Sequence, residues 1–227
     1  MAGSFCTECG SPTELRVPEG DNRERAVCTN CGHIRYVNPN VVVGCIVEAG
    51  DQLLLCKRAI EPALGRWTFP AGYLECGEAS PAGAARETLE ESDAEVEILG
   101  LHAALDIPHI SQLYMVYRAR LVGTHFGPGE ESSEVKLVDL ADIPWTDLAF
   151  PSVATALRLY AADRADGTHR AHMGTIQWNG QGSRFDIDQY DLLGHLAQLQ
   201  QLARPDIRLR MGAAALDMHA GSRNQPG

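Results

Sequence analysis

The sequence lacks any long apolar run. None of its 227 residues falls in an apolar stretch approaching the roughly 18 residues that a membrane-spanning helix requires. The N-terminal stretch MAGSFCTEC also lacks the basic and apolar regions of a secretory signal. We therefore expect a cytoplasmic protein with no membrane partner.

The sequence also lacks an excess of basic residues. It carries 19 Lys and Arg against 30 Asp and Glu, which gives a formal net charge of −11. Nucleic-acid-binding proteins usually show a basic footprint, so we expect no nucleic-acid partner. An acidic protein can still bind an anionic phosphate ester when bound metal ions supply the positive charge.

Disulfides are not expected in a cytoplasmic chain, although this one contains seven cysteines. Four of them form two CxxC pairs separated by 18 residues, Cys6–Cys9 and Cys28–Cys31. This spacing is typical of a zinc ribbon, in which four thiolates close the coordination shell and make the zinc structural. Residues 1–36 are too few to bury a core, so zinc binding should supply much of their folding free energy. His33 is then a bystander.

The segment from Gly72 to Ala94 organises the rest of the chain. It predicts a loop followed by a helix, with Ser80 as the N-cap and Pro81 at the first helical position. Three glutamates in this helix follow the spacing i, i+3, i+4 and should share one face (Glu87, Glu90 and Glu91). Like charges at this spacing repel one another, and Mg²⁺ prefers such carboxylate oxygens together with water and substrate phosphates. The alternative is a solvated acidic helix face.

The full spacing in this segment resembles the Nudix box. The matching residues are a glycine, four glutamates and an arginine: Gly72, Glu78, Arg86, Glu87, Glu90 and Glu91. The sequence departs from the family pattern at Thr88, Asp93 and Ala94, none of which is a metal ligand. Asp93 ends the helix where the family has glycine, and Asp tolerates the left-handed conformation less well than glycine does.

The resemblance implies an α+β fold class. We expect a Nudix α/β/α sandwich with a mixed sheet over residues 37–178, preceded by the small zinc ribbon. It also implies Mg²⁺ or Mn²⁺ as cofactor, held by Glu87, Glu90 and Glu91 together with a backbone carbonyl from Ala71 or Gly72. Homodimers are frequent among Nudix dinucleotide hydrolases.

The resemblance also assigns roles in the reaction. Arg86 typically orients the acidic residues, and Glu78 is commonly its partner or an outer ligand. Glu90 is a further metal ligand or a base. The general base often comes from a loop outside the box, and our first candidate is Glu134, followed by two others (Glu131 and His109). The alternative for these residues is an exposed acidic loop and a structural histidine.

Substrate binding requires a phosphate contact and an aromatic or apolar slot. Arg58 either reaches a phosphate or faces solvent. Trp67 either lines a base-binding slot or lies in the core, whereas Phe69 is expected in the core. Tyr114 is our first choice for the slot, because alternation places it opposite the set Leu113, Met115 and Tyr117.

Several further stretches resemble the FAD- and ADP-ribose-cleaving Nudix group of plant plastids and its bacterial relatives. They lie within residues 5–177 and read FCTECGSPT, NPNVVVGCIVE, LLLCKRAIEPALGRWTFPAGYLE, ALDIPHI, DIP followed by LAF, and HMGTI. This resemblance implies cleavage of FAD or ADP-ribose to AMP and a second monophosphate. The chain lacks the SQPWPF element of the NADH pyrophosphatase group, which stays an alternative. A non-catalytic nucleotide sensor is another.

Apolar periodicity predicts the remaining elements. We expect six strands near residues 41–47, 53–56, 95–105, 113–122, 135–140 and 172–178, and a helix over 152–163. Cys45 and Cys56 should be core residues. Residues 179–227 are predicted as a C-terminal extension, with an amphipathic helix over 188–203 and a mobile tail from 204.

Overall fold

The computed structural model describes residues 5–180, 186 and 189–199. Its first part is a three-stranded antiparallel sheet of β1 (Thr13–Arg16), β2 (Arg25–Cys28) and β3 (Ile34–Arg35). Glycines with φ of 72° and 73° follow the two CxxC pairs, at Gly10 and Gly32. Glycine adopts this left-handed conformation without a steric penalty. It therefore allows the chain to turn directly after each CxxC pair.

The second part is a mixed nine-stranded sheet. Its strands are β4 (Asn40–Ala49), β5 (Gln52–Arg58), β6 (Trp67–Thr68), β7 (Ala71–Tyr73), β8 (Val96–Ile107), β9 (Gln112–Leu121), β10 (Ser132–Asp139), β11 (Arg170–Trp178) and β12 (Tyr190–Leu199). The spatial order is β10-β5-β4-β9-β8-β11-β12, with β6 beside β5 and β7 beside β4. The pairs β4–β9 and β8–β11 are parallel, and the other pairs are antiparallel.

Two helices cover the sheet, α1 (Ser80–Ser92) and α2 (Pro151–Ala165). The continuous apolar run of β4 serves both layers, since Val43, Cys45 and Val47 join the core cluster that includes Ala84 of α1. Ile46 joins the other cluster, which includes Leu157 of α2. Side chains of a strand alternate between faces, so a strand buried on both sides reads as an unbroken apolar run. The α/β/α sandwich is confirmed.

Within the described part of the chain, none of the helices combines the length and apolar character needed to cross a membrane. The expected strands and the helix near 152–163 are present within a few residues of their predicted ends. Cys45 and Cys56 are both buried, as expected. Phe69 is fully buried in the cluster beneath α2.

The predicted helix over 188–203 is wrong where the structure describes it. Tyr190–Leu199 is a strand, β12, paired antiparallel with β11. Gly194 adopts φ of +61° in the middle of this segment, and a glycine there disfavours a helix. The outer edge of β11 supplies unpaired backbone groups that β12 satisfies. The predicted mobile tail from 204 lies outside the described residues.

The predicted N-cap is also wrong. The helix begins at Ser80, and Ala79 precedes it without a side-chain cap. The Ser80 hydroxyl instead lies 2.6 Å from the Tyr117 hydroxyl of β9. Asp93 does end the helix in the left-handed conformation, with φ of 48°.

Candidate active site

Arg86 is the centre of the acidic face of α1. Its Nε and Nη2 donate to the two carboxylate oxygens of Glu78, at 3.1 and 2.7 Å. Its Nη1 donates to Glu87 at 2.8 Å and to Glu90 at 3.0 Å. The hydrogen bond from Arg86 lowers the pKa of Glu78. One guanidinium thus holds the carboxylates of Glu78, Glu87 and Glu90 in place, an arrangement that fits the orienting role predicted for Arg86.

Glu91 is the most deeply placed acid of the box, with 6% of its surface exposed. Burial raises its pKa to about 7, and a hydrogen bond of 3.0 Å from the Ala71 N–H opposes that shift. Burial also raises the pKa of Glu87, with its bond to Arg86 acting against the rise. Two neighbouring acids whose ionised forms are poorly solvated favour a bound cation.

Gly72 of β7 lies close to the acidic face. A Cβ at this position would collide with the carboxylate of Glu87. The backbone of β7 therefore approaches the acids closely, as it must if main-chain oxygen is to share a metal with them. The carbonyl of Ala71 as a ligand stays a prediction, since the structure shows only its N–H bonded to Glu91.

A cavity of about 730 Å³ opens beside these acids. Its charged lining residues are Arg86, Glu87, Glu90 and Glu91 of α1 together with Arg58, Glu61, Glu75 and Glu131. The remaining lining is mostly apolar or aromatic and includes Val42, Tyr73, Ile107, Ile110, Tyr114, Phe150, Ile176 and Tyr190. This volume suits a ligand of nucleotide size that carries both charged groups and rings.

Two of the three predicted substrate residues line the cavity. Arg58 donates to the Pro62 carbonyl at 2.8 Å and lies 5.2 Å from the ring centre of Phe150. Tyr114 is stacked on Phe69, with ring centres 6.0 Å apart. It lies on the sheet face opposite to Tyr117, as alternation predicted.

Trp67, the third predicted substrate residue, is not among the residues that line the cavity. It is 5% exposed and belongs to the core cluster beneath α2. The ammonium nitrogens of Lys136 and Lys57 lie 4.1 and 5.6 Å from its ring centre. The core alternative is therefore the one that the structure supports.

The preferred base, Glu134, lies apart from the cavity. It is on β10, half exposed, with its carboxylate 3.9 Å from the Lys57 ammonium. Glu131 lines the cavity instead and adds to the negative field that raises the pKa of Glu91. His109 also lines it, 5.8 Å from the Tyr190 ring. Of the two glutamates, Glu131 is the one that lines the cavity, and the identity of the base stays a prediction.

Ile176 and Tyr190 are lining residues that the sequence did not reveal. They lie on β11 and β12, and the misassigned helix concealed Tyr190. Phe150 lines the cavity as well. It belongs to the LAF stretch, which contributed to the family resemblance but for which the sequence predicted no role.

The four ribbon cysteines also converge. The Sγ distances are 3.7 Å for Cys6–Cys31, 3.5 Å for Cys9–Cys28 and 3.5 Å for Cys9–Cys31. Four thiolates at 2.3 Å from a tetrahedral zinc ion lie about 3.8 Å apart, so the arrangement fits this metal.

Two family models match this chain. Residues 4–37 match the model described as Nudix N-terminal, and residues 38–160 match the NUDIX domain. The α/β/α sandwich and the cavity lined by the glutamates of this box together define a pyrophosphohydrolase. The chain belongs to the Nudix hydrolase family and carries an N-terminal zinc ribbon.

Known proteins similar to this chain include a NUDIX hydrolase structure from Nitrosomonas europaea. That structure is 49% identical, covers 77% of this chain and 99% of its own, and has a TM-score of 0.75. The ADP-ribose pyrophosphatase of Methanocaldococcus jannaschii is 29% identical over 113 residues, 48% of this chain. The NAD-capped RNA hydrolase NudC of Stutzerimonas stutzeri is 30% identical over 164 residues, 70% of this chain. The chain spans 67% of the first curated relative and 56% of the second.

Proposed function

We propose that this Nudix enzyme cleaves the pyrophosphate of a dinucleotide, ADP-ribose or FAD, to AMP and a second monophosphate. The observation that carries the proposal is the cavity of about 730 Å³, which is lined both by the acids of α1 and by aromatic side chains. A diphosphate held beside the α1 acids leaves the aromatic side chains for adenine or isoalloxazine. Similarity to a protein named ADP-ribose pyrophosphatase supports ADP-ribose.

Glu87, Glu90 and Glu91 of α1 would hold Mg²⁺ or Mn²⁺. The metal supplies charge neutralisation at the diphosphate and a water of lowered pKa. Arg86 holds two of these carboxylates through its bonds to Glu87 and Glu90, and the Ala71 N–H holds Glu91. These residues account for cleavage of the pyrophosphate bond, but they do not determine which substrate is bound.

Other residues act on the substrate directly in this proposal. Arg58 binds a phosphate oxygen, and Glu131 accepts the proton of the attacking water. Tyr114, Phe150 and Tyr190 form the slot for a planar ring system. All five line the same cavity.

A second candidate substrate is NAD-capped RNA, because a relative sharing 70% of this chain's length carries that name. The expectation of no nucleic-acid partner therefore finds no support in the comparisons. The net charge of −11 disfavours a long RNA contact and suits a substrate recognised at its cap alone.

The test is a panel of ADP-ribose, FAD, NADH and a short NAD-capped RNA, each incubated with enzyme and Mg²⁺. We expect AMP from ADP-ribose or FAD at the highest kcat/KM. A higher value for the capped RNA than for NADH would favour the second candidate. Tight binding without release of any monophosphate would reject both.

A further inference from the structure

A buried cluster of three side chains plays no part in the proposed reaction. We call it the histidine cluster: His102 of β8, Asp163 of α2 and His172 of β11. Their exposed fractions are 0%, 1% and 3%. His172 precedes the cavity residue Ile176 by four positions on one strand, which separates them by about 13 Å. None of the three side chains is among the residues that line the cavity beside the acidic face.

His102 presents a ring nitrogen that has no bonding partner among the described residues. Its Nε2 lies 3.0 Å from the Ala156 carbonyl of α2. A carbonyl only accepts, so Nε2 carries the hydrogen and Nδ1 carries the lone pair. Nδ1 is buried, and the described part of the chain offers it no donor. A buried lone pair without a partner is costly in a native fold.

Asp163 and His172 are held firmly by their neighbours. Asp163 Oδ2 lies 3.1 Å from His172 Nε2 and accepts from the Arg170 N–H at 2.8 Å. Its Oδ1 accepts from Arg170 Nη1, also at 2.8 Å. His172 Nδ1 lies 2.9 Å from Nε2 of the exposed His195 on β12. Outer hydrogen bonds of this kind orient the ligands of metal ions.

We propose that His102, Asp163 and His172 form a binding site for a zinc-class transition-metal ion, separate from the ribbon and from the acidic face. Each side chain offers a ligand atom within 4.8 Å of the other two. Ligands at 2.0–2.2 Å from a tetrahedral ion lie about 3.4 Å apart, close to the 3.1 Å between Asp163 and His172. Two imidazoles and one carboxylate select zinc-class ions over Mg²⁺.

Proton balance is satisfied within the cluster. Coordination through Nε2 moves the His172 proton to Nδ1, which then donates to Nε2 of His195. His195 is exposed and exchanges its own ring proton with water. The lone pair of His102 Nδ1 gains a partner, and its Nε2–H stays on the Ala156 carbonyl.

The ion would join three separate elements of the sandwich. Asp163 lies near the end of α2, whereas His102 and His172 lie on the paired strands β8 and β11. A metal that ties these elements would stabilise the fold, and none of its three ligands belongs to the proposed catalytic residues.

The first experiment counts zinc in the full-length protein by mass spectrometry, in excess Mg²⁺ to fill the carboxylate site. We expect two zinc ions per wild-type chain, one from the ribbon and one from the histidine cluster. His102→Gln and His172→Gln should each retain one ion, and the control His125→Gln should retain two. One ion in the wild type, or two in both cluster variants, would overturn the proposal.

The second experiment needs no variant and so does not depend on how well the variants fold. Wild-type protein carrying only its ribbon zinc is titrated with Co²⁺ in excess Mg²⁺, which fills the carboxylate site. A stoichiometric ion with weak ligand-field bands, and without thiolate-to-cobalt charge-transfer absorption, supports nitrogen and oxygen ligands. Absence of such bands overturns the site.

Discussion

The backbone N–H of Ala71 donates to the Glu91 carboxylate at 3.0 Å, which links β7 to the box helix. Strand pairing fixes the position of Ala71, since it lies opposite Gly44 of β4. A Cβ at Gly44 would collide with Ala71, so the close approach depends on that glycine. The deepest acid of the site is thus placed by the sheet and not by the helix alone.

Glu91→Gln should lower kcat by about 10³-fold, roughly 4 kcal/mol, because it removes a charged metal ligand. The amide oxygen still accepts from Ala71, so we expect the fold and thermal stability to be kept. Steady-state kinetics with ADP-ribose and a thermal melt check both parts. Turnover similar to the wild type would reject Glu91 as a ligand.

Arg86→Lys should lower kcat by about 10- to 100-fold, because a lysine cannot fork between Glu78, Glu87 and Glu90. Glu78→Gln weakens the same fork and should have a smaller effect. The double variant should lose less than the sum of the two single losses, since both act through one contact. Additive losses would show that the two residues act independently.

Glu131→Gln and Glu134→Gln form a matched pair for the identity of the base. Glu131 lines the cavity and Glu134 lies beside Lys57 outside it. We expect a loss of kcat of about 10²-fold or more for Glu131→Gln only. The reverse order would restore the choice made from the sequence.

Cys6→Ser should abolish zinc binding by the ribbon and expose residues 5–36 to proteolysis, because the metal supplies their folding free energy. The matched control is Cys76→Ser, since Cys76 is exposed and stands outside the four-thiol cluster. Limited trypsin digestion and zinc analysis report the outcome. Equal protection in both variants would argue against a structural zinc.

Thiol reactivity should follow burial. Burial raises the pKa of Cys45 to about 11, and it also raises the pKa of Cys56. Because the raised pKa keeps both thiols protonated at pH 8, alkylation of the native protein should spare them. Mass spectrometry should find label on Cys76 in native protein and on Cys45 and Cys56 only after denaturation. Rapid native labelling of Cys45 would contradict the buried position.

The core strands and the box could be predicted because their signals are local. The apolar run of β4 and the spacing of Glu87, Glu90 and Glu91 each involve residues that are close together in the sequence. The β12 strand could not be predicted, because its pairing partner lies some twenty residues earlier and its apolar residues also fit a helix.

The position of Glu134 relative to the cavity could not be read from the sequence for a comparable reason. The pairing of β10 with β5 shifts register between Ser132 and Glu134. A bulge of this kind changes which side chains face the cavity, and the sequence does not mark it. The same limit applies to Trp67, whose two-residue strand carries too few positions to show alternation.

The hairpin of β11 and β12 begins after residue 160, where the match to the NUDIX domain ends, and still contributes Ile176 and Tyr190 to the cavity wall. The cavity wall is thus built partly by the matched domain, which carries the box acids, and partly by a stretch of chain that follows it. Exchange of this hairpin between homologues could retune which nucleotide is accepted while the acids that break the bond stay untouched.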